Sequence, residues 1–120
     1  MKAAGQDLAS LFFGFDARIR YVSILDSLGR TVEGGMRPGL SSLEPKDEAD
    51  RVDIQVALIR GMTEAAGAYL GATNYVIVHR EKIMLMALPW KDRKTVLITT
   101  EPDFPLERVP ALIEMVSSSG

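Results

Sequence analysis

Between Lys46 and Leu70 apolar residues recur at a helical period, and they cover more of the helix than one packing face requires. Val52, Val56, Ile59, Thr63, Ala66 and Leu70 form one seam, while Ile54, Leu58, Gly61, Ala65 and Tyr69 carry apolar surface further round. The polar stripe of Lys46, Asp50, Asp53, Arg60 and Glu64 is correspondingly narrow. A helix lying on one sheet needs a single apolar stripe, so the excess predicts a second covering surface, in the first instance another copy of the chain.

The rest of the pattern alternates between helical and strand periods. Leu8, Leu11, Phe12 and Phe15 predict a short helix from Gln6 to Phe15, closed near Gly14. The β-branched and aromatic run from Ile19 to Asp26, the turn signal Ser27-Leu28-Gly29 and the segment Arg30 to Glu33 predict a hairpin, ended by Gly34-Gly35. A loop through Met36, Arg37, Pro38 and Gly39 follows, and Ser41 with Glu44 suits a capping box for the long helix. After Gly71 stops that helix, Tyr75 to His79 reads as a strand buried on both faces. Arg80-Glu81 is the predicted tip before a return strand from Ile83 to Leu88. The turn Pro89 to Arg93 then leads to a third strand, Thr95 to Thr99. Val109, Leu112, Ile113 and Val116 predict a closing helix that accommodates Pro110 only in its first turn.

The predicted order is therefore α-β-β-α-β-β-β-α: one α+β domain spanning residues 1–120, with a five-stranded antiparallel sheet and helices on both faces. One layer holds the long helix, and the other holds the two terminal helices side by side. Composition narrows the functional classes. The 120 residues carry a net charge of −2 with acids and bases interspersed, so the chain lacks the global basic field that favours nucleic acid or an anionic membrane. There is no cysteine, which excludes disulfides, thiolate metal sites and a cysteine nucleophile and fits the cytoplasm. No apolar run reaches the length of a membrane span or a signal peptide, so the expectation is a soluble protein without membrane insertion.

Candidate chemistry is sparse. His79 is the sole histidine, so a two-histidine metal site is impossible and a hydrolytic triad would have to be built on this one residue. Neither a P-loop nor a Gly-x-Gly-x-x-Gly spacing occurs, and Gly29, Gly34 and Gly35 read as turn residues. No enzyme, cofactor or metal is expected. Met84 and Met86 alternate into the core. Trp90, in its Pro-Trp-Lys turn, and Arg37, in the loop after the first hairpin, are the candidate contacts for a partner.

The hairpin Val22-Ser23-Ile24-Leu25-Asp26-Ser27-Leu28-Gly29-Arg30-Thr31-Val32 is similar to the strand, acidic turn with glycine, and strand of the roadblock/dynein light chain family. The Ala- and Gly-rich long helix and the element order also resemble that family of small profilin-like domains. The resemblance implies a homodimer or heterodimer formed through the long helix and the third strand. It also implies a scaffold or regulatory role, with Ras-like small GTPases among the partners. The matching interface positions are Val56, Ile59, Thr63 and Ala66 on the helix and Tyr75 and Ile77 in the strand. The long loop from Gly35 to Leu43 and the Pro89-Trp90 turn depart from common members. The alternative is a PAS-like or GAF-like sensor of a small ligand, whose strand-turn-strand opening Leu25 to Arg30 also resembles. A sensor pocket is walled by several short helices, whereas residues 46–70 read as one long helix.

Overall fold

The computed structural model describes residues 4–41, 43 and 67–119. Helix α1 (Ala4–Phe15) leads into the hairpin of β1 (Ile19–Leu25) and β2 (Thr31–Met36). A helical turn α2 (Gly67–Leu70) precedes β3 (Val76–His79), β4 (Met84–Pro89) and β5 (Thr95–Thr100), and a 3₁₀ turn at Leu106–Arg108 enters the closing helix α3 (Val109–Ser118). The five strands form one sheet in the order β2-β1-β5-β4-β3, every neighbouring pair antiparallel. The predicted meander of the last three strands is thus joined to the first hairpin by the central pair β1–β5, with Val22 opposite Ile98 and Ile24 opposite Val96.

Strand alternation sorts the side chains onto two faces. One face sends Val22, Ile24, Met84, Met86, Leu88, Val96 and Ile98 into a core with Leu8 and Phe12 of α1 and Val109, Leu112 and Val116 of α3. The helical spacing of these last five residues is what brings both terminal helices onto the same face. Pro110 sits in the first turn of α3, where its missing N–H costs no hydrogen bond. On the opposite face Leu25, Leu85, Ala87 and Leu97 form a second buried cluster, with Tyr21, Val76 and Val78 packed against it. The expectation of helices on both faces is met on one face by α1 and α3. Glu44 of the expected capping box and the seam from Val52 to Ala66 lie outside the described residues.

Two strands differ from the sequence expectation. Strand β2 does not end at Gly34-Gly35 but continues to Met36. Gly34 lies opposite Ser23 with φ at +103°, and a Cβ there would sit 2.2 Å from the Val22 carbonyl oxygen. The glycine is thus required by close approach of two backbones, a role that reads in sequence like a turn. Strand β3 is not buried on both faces: it is an edge strand, with Val76, Ile77 and Val78 half-buried and His79 exposed.

Candidate interaction surface

An edge strand carries backbone N–H and C=O groups that its own sheet leaves unpaired. In the β3–β4 ladder the Arg80 N–H donates to the Ile83 carbonyl at 2.8 Å, and pairing runs in register from His79 opposite Met84 to Val76 opposite Ala87. Backbone groups alternate in direction along an antiparallel strand, so those of Val76 and Val78 face β4 and those of Ile77 and His79 point off the edge. The β3 register has no irregularity, whereas the opposite edge, β2, shifts register beside Leu25 and carries the left-handed Gly34. Bulges and kinks blunt an edge against pairing. Of the two edges, β3 is the one with a regular template, and no described strand pairs with its outer side.

Apolar exposure concentrates just ahead of that strand. Tyr69 is 92% exposed, Leu70 83% and Tyr75 47%. Tyr75 and Ile77, the strand positions expected at an interface, therefore lie at the start and middle of the open edge, and Ile77 also packs against the helix-side core. Val56, Ile59, Thr63 and Ala66 lie outside the described residues.

The two other candidate contacts are engaged within the chain. Arg37 Nε donates to the Ile19 carbonyl at 2.7 Å, and Nη2 donates to the carbonyls of Phe13 and Asp16 at 2.9 and 2.8 Å. The guanidinium also stacks 5.0 Å from the Phe13 ring centroid. Arg37 thus ties the loop after β2 to the C-terminal end of α1 and to the start of β1. Trp90 is half-buried against the helix-side core, with the Lys91 and Lys94 ammonium groups 4.9 and 6.0 Å from its ring centroid. His79 Nε2 donates to the Pro102 carbonyl at 2.9 Å and holds the end of β3 to the segment after β5.

A polar junction unremarked in the sequence organises the other end of the fold. The Asp16 side chain is only 3% exposed. Its Oδ1 accepts the Arg18 backbone N–H at 2.8 Å and Arg18 Nε at 3.0 Å, and its Oδ2 accepts Arg108 Nη1 at 2.6 Å. Burial alone pushes this carboxyl up, but the hydrogen bonds from Arg18 and Arg108 outweigh it and hold Asp16 below the ordinary 3.8. Arg108 also lies 4.9 Å from the Phe15 ring centroid, so one carboxylate joins α1, β1 and the entry to α3. At the β1–β2 tip, Asp26 is held below its ordinary value by the Arg30 backbone N–H, with help from the Leu28 N–H and the Arg30 side chain. Among the described residues no group of three or more His, Asp or Glu side chains is arranged to hold a metal, and no helix is long and apolar enough to cross a membrane.

This arrangement has the fold of roadblock/LC7 domains. No protein-family model matches the chain, and no curated protein matches it in sequence. Solved structures do match in fold. The gliding protein MglB from Thermus thermophilus superposes with a TM-score of 0.78 at 14% identity, covering 99% of this chain and 89% of that one. A Roadblock/LC7 domain from Streptomyces avermitilis gives 0.68 at 14% identity, covering 93% and 88%. An MglB structure with a tetrameric arrangement gives 0.72 at 15% identity, covering 100% and 95%. The family resemblance read from the hairpin and the element order thus holds at the level of the fold.

Proposed function

We propose that the chain is a non-enzymatic, cytoplasmic homodimer that acts as a scaffold or regulator, with a Ras-like small GTPase as its partner. The observation that carries the dimer is the open β3 edge, regular in register and preceded by the exposed Tyr69, Leu70 and Tyr75. A second copy pairing along this edge satisfies the outward backbone groups of Ile77 and His79 and covers the exposed aromatics in the same step. The apolar positions Val56, Ile59, Thr63 and Ala66 read from the sequence are assigned to the same interface. Self-association described for an MglB of this fold supports the reading. The GTPase partner rests on the family resemblance.

The first test is solution mass by light scattering through a dilution series, for the wild type, Ile77→Pro and Ile77→Val. Proline removes the outward N–H without touching the β3–β4 ladder, so Ile77→Pro is expected to be monomeric while Ile77→Val stays dimeric. A wild type of monomeric mass at every concentration refutes the dimer. The immobilised dimer is then offered Ras-like GTPases loaded with GDP or with a non-hydrolysable GTP analogue. Capture that depends on the nucleotide supports the regulatory role, and indifference to every GTPase overturns it while leaving the dimer standing.

A further inference from the structure

The β4–β5 tip combines three features that hairpin formation alone does not require. Trp90 N–H donates to the Lys94 carbonyl and Lys94 N–H to the Lys91 carbonyl, at 2.9 and 3.1 Å, which closes a tight turn. Its central residues, Asp92 and Arg93, have φ of 58° and 59°, the left-handed conformation that hairpin turns ordinarily assign to Asn-Gly. Here neither residue is glycine, and the second carries a long cationic side chain. Next, Lys91, Arg93 and Lys94 crowd three positive charges around one acid, Asp92. The salt bridges among the described residues, Asp16 with Arg18 and Arg108, Arg20 with Glu101 and Arg30 with Asp26, leave these three cations without one. Finally, the Trp90 indole holds two of the ammonium groups against its ring, while its own buried N–H has no hydrogen-bond partner among the described residues.

Left-handed backbone at a non-glycine pair and three clustered cations without a salt bridge among the described residues mark a surface shaped by something other than folding. We propose that this tip is a docking site for an acidic polypeptide segment of a partner protein. The core-packed indole holds the Lys91 and Lys94 ammonium groups, and the exposed Arg93 lies between them in the turn, so three cations cluster for carboxylates. An anionic bilayer fits less well. Trp90 is turned back onto the core rather than outward for insertion, and an extended surface meets the net charge of −2 of the whole chain, whereas a short segment meets only the local excess of positive charge. The proposal depends on neither dimerisation nor a GTPase.

Trp90 is the sole tryptophan, so its fluorescence reports the site directly. The full chain is titrated with a decapeptide of alternating Glu and Asp, and separately with vesicles of equal phosphatidylcholine and phosphatidylglycerol. The expected result is a saturable change in Trp90 emission with the peptide that fades as salt is raised. Lys91→Glu combined with Arg93→Glu is expected to weaken it about tenfold or more, whereas Arg80→Glu with Lys82→Glu, the same charge change at the β3–β4 tip, leaves it unchanged. Arg93→Gly guards against misfolding, because glycine relieves the left-handed strain. This variant is expected to melt at a higher temperature and yet bind the peptide more weakly. The proposal is overturned by no saturable response, by equal weakening from both charge reversals, by Arg93→Gly binding as tightly as wild type, or by a response to the vesicles with none to the peptide.

Discussion

Replacing Asp16 with Asn keeps the shape of the side chain but removes the charge that two guanidinium groups share. Loss of a hydrogen bond to a charged group costs about 1.5–3 kcal/mol when the partner is buried. The Arg18 and Arg108 side chains remain 38% and 44% exposed, so water takes over much of what they lose. Each interaction is then worth about 1 kcal/mol, as for solvent-screened pairs, and the retained Asn oxygen still accepts the Arg18 backbone N–H. The expected cost of Asp16→Asn is therefore about 2 kcal/mol, a fall in Tm of about 6–10 °C for a chain of this size. Arg108→Gln alone is expected to cost about half as much. The pH dependence carries the sharper test. A carboxyl held below its ordinary 3.8 in the folded state contributes stability that is present above that value and is lost as pH falls through the folded-state pKa. Thermal melts of wild type and Asp16→Asn, followed by circular dichroism, are expected to differ fully at neutral pH and to converge in acid. Comparing the two proteins isolates Asp16 from Asp26, which is held down in the same direction. A deficit under about 0.5 kcal/mol at neutral pH, or one unchanged by acid, refutes the junction as described.

Leu112 is fully buried between α3 and the sheet, so Leu112→Ala is expected to cost about 2–4 kcal/mol in urea unfolding. Leu11, 55% exposed on α1 beside the buried Phe12, tolerates alanine within about 0.5 kcal/mol. Gly34→Ala drives a methyl into the Val22 carbonyl and is expected to cost at least about 2 kcal/mol in the same assay. On the predicted helix seam, Ile59→Glu or Ala66→Glu is expected to weaken self-association in sedimentation more than Arg60→Glu, and equal effects from all three exclude that face.

What could be read from the sequence was local and periodic. The spacing of Leu8 and Phe12, and of Val109, Leu112 and Val116, placed two helices on one core, and alternation through Met84 and Met86 placed their side chains beneath them. Where the reading failed, one residue type served two purposes. Gly34 carries a turn signal but serves a close strand approach, and the apolar run Val76 to Val78 signals covered surface without saying whether the cover comes from the same chain. The polar junction was out of reach for a different reason: Asp16 and Arg108 are 92 positions apart, and nothing local to either marks the pair. A loop arginine such as Arg37 shows its charge in sequence but not the carbonyls of Phe13 and Asp16 that it binds.

The central position of the β1–β5 pair also governs when the molecule can form. Its two strands come from opposite ends of the chain, so on a ribosome the first hairpin must wait, with β1 unpaired along one side, until the last strand has been synthesised. Closing that seam incurs the loop entropy of most of the sequence in one step, which makes it the natural rate-limiting event of folding. Before that seam closes, the first hairpin and the β3–β4 pair each carry an unpaired edge, β1 in one and β4 in the other.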